Sequence, residues 1–421
     1  MYKESEFNIS AALGDGKIAI YNTRSGALLV LDKTPAKYIG DDEAQSVLIN
    51  EGFLVPDNVN EFDEVAADRK NAILNPDTLN FTVASTLQCQ AKCSYCFQGN
   101  IENKTKMCRE TAERVANYIC ERVETTKSHE LRMLWFGGEP LLNQEAIITI
   151  GEKVFSKCRD CNLPFSSSLI TNGIGMTPDV IATLVEKVAL KGVQVSLEGT
   201  RESFLRAKGI DAFDRVIQNI CDCASLVNLT IRLNLMRDNS KEIERLLLYL
   251  LDDLSLDSKV NIYLAQVELT DGCLSGFSDV VNGECHNNEL VRLYSDYSRC
   301  FESLRPKKLL PVRKKCFCAL EKNGNYAIGP AGDFYKCDRD IGHPERAINT
   351  IVESDAKQPL SAEGFFNELD GRCVTVRCPM LPACLSRCPH DRLYKQEPKT
   401  CDEIVLGAKA NIKLAAQLLR R

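Results

Sequence analysis

The chain has 421 residues, enough for about two or three domains with sizeable cores. Hydrophobic residues make up 44% and charged residues 26%, a soluble globular balance, and a net charge of −6 without a basic block speaks against a nucleic-acid partner. The longest apolar run, around residues 246–251, is too short for a bilayer, and the start MYKESEF lacks the basic-then-apolar pattern of a secretory signal, so a cytoplasmic protein with no membrane partner is expected. Its 20 cysteines would then sit in a reducing compartment, where disulfides are rare and thiols in such number mostly hold metal. With only four histidines, the expected sites are sulfur-rich, of zinc or iron–sulfur type.

In chain order, apolar runs at 17–21 and 27–31 around Thr23-Arg24-Ser25-Gly26 predict a β-hairpin. A short helix over 36–50 follows, ended by Gly52, and the acidic stretch 58–68 reads as a solvated linker or helix. From residue 80 a regular alternation sets in, with strand-like runs beginning near Phe81, Leu131, Ser166, Val193, Leu229 and Val260 and helical stretches between them. In the first such helix Val115, Tyr118, Ile119 and Val123 share one face while Arg114, Glu121 and Glu124 point away. Pro178 and Asp211 stand near the starts of later helices. Six strands alternating with helices predict a parallel βα fold, an open sheet or a partial barrel. After about residue 270 the periodicity fails; Gly, Pro and Cys dominate 315–401, a composition that needs metal staples, and 404–419 returns to a helical pattern. The expected organisation is an N-terminal α+β segment over 1–75, a βα region over 80–270, a connecting segment over 271–315, a Cys-rich domain over 316–405 and a C-terminal helix over 406–421.

Cys89, Cys93 and Cys96 form C-x3-C-x2-C directly after the first strand of the βα region, and ligands of such folds gather at the carboxyl ends of strands. Three thiolates can hold three irons of a [4Fe–4S] cluster and leave the fourth open to a small ligand. Structural zinc wants four protein ligands, and neither a histidine nor another cysteine lies close, Cys108 being twelve residues on. The second strand ends in Gly137-Gly138-Glu139-Pro140, either a tight turn or a place where backbone and a carboxylate meet a ligand's ammonium.

The loop from Cys89 to Phe97, with Tyr95 before the last cysteine, resembles the signature loop of the radical S-adenosylmethionine (SAM) superfamily, and Gly137-Gly138-Glu139 is similar to that family's GGE motif. Leu169-Ile170-Thr171-Asn172-Gly173 and Val195-Ser196-Leu197-Glu198-Gly199 resemble its third and fourth strand ends. The resemblance implies that Gly137, Gly138 and Glu139 receive the SAM amino group and that Tyr95 lies beside the adenine. It also implies that Ser196 and Asn234 approach the ribose and carboxylate, and that Arg206 or Arg232 pairs with the carboxylate. Glu198 stands where relatives carry Asp and is given no role.

Cys318, Cys337 after Gly332, then Cys373-x4-Cys378-x5-Cys384-x3-Cys388 and Cys401 resemble the SPASM extension, which carries two auxiliary [4Fe–4S] clusters. By that resemblance Cys318, Cys337 and Cys388 hold the nearer cluster and Cys373, Cys378, Cys384 and Cys401 the outer one, although Thr375 occupies the place usual for Cys373. The nearer cluster is one thiolate short; either Cys316 fills it or an iron stays open for a substrate thiolate. Cys158-x2-Cys161 and Cys221-x-Cys223 have no supporting context and are read as ordinary thiols.

The resemblance covers about residues 80–401. It implies an α/β fold, a partial (β/α)6 barrel, with a small winged-helix-like N-terminal segment and a cluster-stapled C-terminal domain. It implies a SAM-binding [4Fe–4S] cluster, two auxiliary clusters, SAM itself, and a reductant such as flavodoxin or ferredoxin. Reductive cleavage of SAM would yield methionine and a 5′-deoxyadenosyl radical that abstracts hydrogen from an unactivated carbon. Members with this extension commonly modify ribosomally made peptides, and the N-terminal segment resembles their precursor-recognition elements, so the expected substrate is a precursor peptide and the favoured product a Cys-to-carbon thioether. Asp338 matches the place of a proposed base in sulfatase-maturing relatives, which keeps formylglycine formation open, as are carbon–carbon or ether cross-links. A non-catalytic electron carrier with three clusters is the alternative outside enzymes.

Overall fold

The structure is a computed structural model that describes residues 1–102, 104–236, 238–256, 259–267, 293, 310–351, 371–390 and 401–420. Most of the connecting segment expected over 271–315 lies outside the described residues. The chain divides into two units, one formed by residues 1–74, 283–321 and 362–421, the other by 75–282 and 322–361.

In the first unit the expected hairpin is present. Strand β3 (Ile18–Asn22) pairs antiparallel with β4 (Leu28–Leu31), and β2 (Asn8–Ala12) adds to the other edge of β3. The single helix expected over 36–50 is interrupted. A 3-10 turn, Pro35–Tyr38, ends before Gly40, whose φ of +94° no helix accepts, and α1 (Asp42–Asn50) begins anew. Asp41 starts it, its carboxylate accepting from the Ala44 N–H at 3.3 Å. The acidic stretch 58–68 runs into α2 (Glu61–Leu74), with Glu61, Asp63 and Glu64 in the first turn where the helix dipole favours them. A short pair not foreseen, β1 (Tyr2–Glu4) with β5 (Leu54–Pro56), joins the two ends of the segment.

This N-terminal segment shares its core with the cysteine-rich end of the chain. Phe7, Phe62 and Val65 pack against Cys373, Leu381 and Leu385. Ile9, Ala11, Ala19 and Tyr21 pack with Met380, Ala383 and, through Ala408, Ile412 and Ala415, the C-terminal helix Cys401–Leu419. Polar ties lock the same face: Thr23 donates to the Pro379 carbonyl at 2.6 Å, Tyr21 to that of Pro311 at 2.5 Å, and Arg377 pairs in bidentate fashion with Glu6. Glu61, 1% exposed, accepts from Ser5 Oγ and the Glu6 N–H, both at 2.8 Å.

The second unit holds the six expected strands: β6 (Thr78–Thr86), β7 (Glu130–Gly137), β8 (Phe165–Thr171), β9 (Leu190–Leu197), β10 (Asn228–Leu235) and β11 (Asn261–Gln266). They are parallel neighbours in chain order. Helices α3 (Arg109–Thr125), α4 (Gln144–Asp160), α5 (Pro178–Val188), α6 (Arg201–Lys208), α7 (Phe213–Cys223) and α8 (Ser240–Leu248) fill the crossovers. In α3 Val115, Tyr118, Ile119 and Val123 are buried and Arg114, Glu121 and Glu124 exposed, as the periodicity predicts. Short strands β12 (Tyr326–Ile328), β13 (Asp333–Tyr335) and β14 (Asn349–Thr350) extend the same sheet beyond β6, with β12 parallel to β6 and the others antiparallel. The sheet is therefore open, in the order β11-β10-β9-β8-β7-β6-β12-β13-β14. Part of the expected Cys-rich domain, with Cys337, thus belongs to the βα unit. Among the described residues no helix is long and apolar enough to cross a membrane.

Candidate functional site

Cys89, Cys93 and Cys96 lie in the loop after β6, and both flanks of the loop are fastened by backbone hydrogen bonds. On one side the Gly138 N–H donates to Thr86 O and the Glu139 N–H to Gln88 O, each at 2.8 Å. On the other the Lys92 N–H donates to Lys208 O at 2.8 Å and the Ser94 N–H to Ala207 O at 2.9 Å. The loop is thereby held between the end of β7 and the end of α6. Asn172, at the end of β8, brings its Nδ2 within 3.7 Å of the Cys89 sulfur, and Phe97 stacks on Phe136 of β7 at 6.2 Å.

The glycine pair serves this clamp. A Cβ on Gly137, whose φ is +141°, would stand 2.2 Å from Thr86 O, and one on Gly138 would stand 2.5 Å from the carbonyls of Leu87 and Gln88. The close approach is to the cysteine loop's own backbone. Glu139, which the resemblance expects to receive an ammonium, follows the pair. Its carboxylate is fully buried and accepts from the Leu141 N–H at 3.1 Å, Thr171 Oγ1 at 2.7 Å and the Asn172 N–H at 2.8 Å. Burial pushes its pKa up, and these three donors pull the other way.

Behind the loop is a buried polar network centred on Glu198, which sequence reasoning left without a role. Tyr95 donates its hydroxyl to Glu198 Oε1 at 2.5 Å and accepts from Asn234 Nδ2 at 3.2 Å. Asn234 Nδ2 also donates to Glu198 Oε1 at 3.0 Å, and Lys208 Nζ lies 3.3 Å from the same oxygen and 2.9 Å from Ser196 Oγ. The Tyr95 ring packs against Ala207, Met236 and Val267. Burial and the adjoining carboxylate hold the Tyr95 phenol well above its ordinary value. Burial opposes the Lys208 charge, yet Glu198 and the Cys93 sulfur outweigh it and raise the Lys208 pKa. Asn239, fully buried, donates to the carbonyls of Glu198 and Asn234 at 2.8 and 2.9 Å and so ties the ends of β9 and β10 together.

Arg206, an expected partner of a ligand carboxylate, is on the exposed face of α6 and pairs with Asp238 at 3.7 Å. The cation that reaches the network is Lys208, two residues on and facing inward. Arg232 sits in sheet register between Ser196 and Tyr263.

The residues fit an iron–sulfur cluster with SAM. Burial pushes the Cys93 thiol up to about 12, and the Cys96 and Cys89 sulfurs add to it against the opposing Lys208 charge. Three sulfurs close enough to act on one another are a donor set for a cationic metal group. Beside them Glu198 Oε2 and Asn234 Oδ1 are buried acceptors without a hydrogen-bond donor, a pair matched to vicinal hydroxyls such as those of a ribose.

In the first unit Cys373, Cys378, Cys384 and Cys401 line one small pocket with Met380, Leu381 and Ile404. Cys318 and Cys388 lie near enough for their sulfurs to interact, and the Cys316–Cys318 loop is held by Glu321, which accepts from the Phe317 N–H at 2.8 Å and pairs with Arg69 at 3.1 Å. Cys337 belongs to the other unit, just after β13, its sulfur 3.7 Å from the Asp338 carboxylate.

Residues 83–250 match the radical SAM superfamily model. Over 164 residues the chain is 27% identical to the radical SAM cyclopropyl synthase TigE of Paramaledivibacter caminithermalis, and the match spans 34% of each protein. Among solved structures, anSMEcpe with bound AdoMet superposes with a TM-score of 0.64 at 15% identity, covering 81% of this chain and 98% of that one. SuiB of Streptococcus suis bound to precursor peptide SuiA gives 0.51 at 15% identity, over 94% and 97%. At these identities the two structures show likeness of fold.

Proposed function

We propose that this chain, which carries a radical SAM domain at residues 83–250, is a SAM-cleaving peptide maturase that forms an oxidative cross-link, a Cys-to-carbon thioether, in a ribosomally made precursor. The observation that carries the reading is the clamped three-cysteine loop beside the buried acceptors of Glu198 and Asn234. When bound, a [4Fe–4S] cluster and SAM together supply a carbon-centred radical able to take a hydrogen atom from the peptide. The chain's own part is positioning. Cys89, Cys93 and Cys96 hold the cluster, Glu198 and Asn234 receive the ribose hydroxyls, and Lys208 and Ser196 stand beside them. Glu139 shapes the turn whose backbone meets the methionyl end. Tyr95 closes the site from the loop side and keeps water out.

Two further features support a peptide substrate and an oxidative outcome. Among the described residues β4 is an outer strand of the β2-β3-β4 sheet, and its outer edge could take a leader peptide as an added strand. Thioether formation removes two hydrogens: one leaves as an atom, the cysteine gives up a proton, and one electron needs an acceptor. Auxiliary clusters, which Cys373, Cys378, Cys384 and Cys401 and, at a second site, Cys318 and Cys388 would help to hold, would supply such acceptors. A flavodoxin- or ferredoxin-type protein supplies the reducing electron. A second reading, formylglycine formation, is supported by Asp338, whose carboxylate lies 3.7 Å from the Cys337 sulfur and would serve as the base.

The test is anaerobic co-expression with a cysteine-containing peptide encoded beside the gene, followed by mass spectrometry. Loss of two hydrogens per site, no alkylatable thiol, and missing fragments between a cysteine and a distal residue are expected. An unmodified peptide alongside intact SAM cleavage would overturn the thioether assignment in favour of the Asp338 reading.

A further inference from the structure

The sheet face that carries Ser196 and Asn234 bears a second polar group, on the side toward β11. In β10 Leu229, Ile231, Leu233 and Leu235 are fully buried on one face, which puts Arg232 on the other, with Asn234 about 7 Å further along the strand. In register Arg232 lies between Ser196 of β9 and Tyr263 of β11. The Tyr263 hydroxyl donates across β10 to Gln194 Oε1 at 2.9 Å. Burial pushes the Tyr263 phenol up and the Arg232 guanidinium beside it pulls it down. With Oε1 taken, the Gln194 amide keeps Nε2 as a donor. Arg232 makes no ion pair with the described residues, and its buried Nε has no acceptor. Glu198, the carboxylate at the end of β9, is engaged by Lys208 at 3.3 Å. Small residues leave room beside the group: Ser166 and Ser168 of β8, and Gly192, where an added Cβ would meet no side chain within 4 Å.

We propose that Arg232, with Gln194 and Tyr263, forms a subsite that takes a carboxylate of the substrate peptide. The inference rests on the reading of this chain as a SAM-dependent peptide maturase. A half-buried guanidinium without an anion is unsatisfied, and its planar fork matches a carboxylate in bidentate fashion. The Gln194 amide adds a third donor, held in orientation by Tyr263. The carboxylate of SAM itself is a poorer match. Its methionyl end is placed at the turn after β7, three strands from β10 and so about 14 Å away. Arg232 instead adjoins the Asn234 end of the site, where a peptide side chain would be held next to the ribose.

The experiment is anaerobic equilibrium binding to the reconstituted full-length protein, with SAM and without reductant. The probe is the cysteine-containing peptide encoded beside the gene, in three forms. One is native, one has Asp and Glu around the cysteine replaced by Asn and Gln, and one has an amidated C-terminus. Wild type is expected to bind one altered form about ten- to a hundredfold more weakly than the native one. Which form loses affinity tells a side-chain carboxylate from the terminal one. Arg232→Gln is expected to lose as much on the native peptide and to bind all forms alike, and Arg232→Lys to recover part of the loss. If Arg232→Gln fails to load its clusters, Gln194→Leu, expected to weaken the native form alone, takes its place. Equal binding of the three forms by wild type, or a preference that persists in Arg232→Gln, would overturn the proposal and leave the maturase reading standing. A fall in SAM affinity in Arg232→Gln with peptide discrimination intact would overturn it too and assign the guanidinium to the SAM carboxylate. No binding of any form by wild type would overturn the peptide reading and the proposal with it.

Discussion

Tyr95 shows how one hydroxyl joins two functions. It stands between Cys93 and Cys96 in sequence and donates to the carboxylate whose other oxygen is a buried acceptor without a hydrogen-bond donor. Tyr95→Phe is expected to keep its iron but bind SAM about five- to tenfold more weakly, about 1–1.5 kcal/mol for one buried hydrogen bond; equilibrium binding beside iron analysis checks this. Gly137→Ala is expected to cost roughly 2–4 kcal/mol, since its φ of +141° and the 2.2 Å approach to Thr86 O both exclude a Cβ. A fall in the anaerobic denaturation midpoint with loss of the first cluster would show it. At this scale the cysteines were legible because their spacing is local. Lys208 was not, since a charged residue in the polar helix α6 reads as solvated, as its neighbour Arg206 is, and Glu198 was passed over because it stands where relatives carry Asp; only the fold shows that both turn inward.

The elements of the N-terminal segment reach into the cysteine-rich core. The Arg69–Glu321 pair, 3% and 0% exposed, links α2 to the loop of Cys316 and Cys318. Arg69→Met would leave the buried Glu321 carboxylate without its cation, a loss of about 3–5 kcal/mol, whereas Glu321→Gln, which removes the charge, should cost less. Anaerobic chemical denaturation of both variants distinguishes them, and equal losses would argue against a charge effect. Removing residues 1–74 strips Phe7, Phe62 and Val65 from Cys373 and Leu385, and is expected to give an aggregating protein short of auxiliary iron. The strands β6–β11 were readable from their apolar runs. Strands β12–β14 were hidden because two or three residues carry no period, and β1 because its partner β5 is far along the chain. The break at Gly40 was missed because helix-compatible residues stand on both sides of it.

For the whole molecule, the sequence pointed to an α/β fold with cysteine sites at its far end, and the structure distributes those sites differently from the expected linear domains: Cys337 goes with the βα unit, and residues 1–74 go with the outer cysteines. Contacts between distant segments decide this, and no local pattern announces them. Three clusters predict about twelve irons and as many acid-labile sulfides per chain, with about four lost in Cys384→Ser. The most direct measurement of the central claim is anaerobic incubation of the reconstituted protein with SAM and dithionite, followed by quantification of 5′-deoxyadenosine. The account predicts that wild type forms 5′-deoxyadenosine and methionine and that Cys96→Ala forms neither. Intact SAM with a fully loaded, reduced wild-type protein would contradict it and leave a cluster-bearing electron carrier instead.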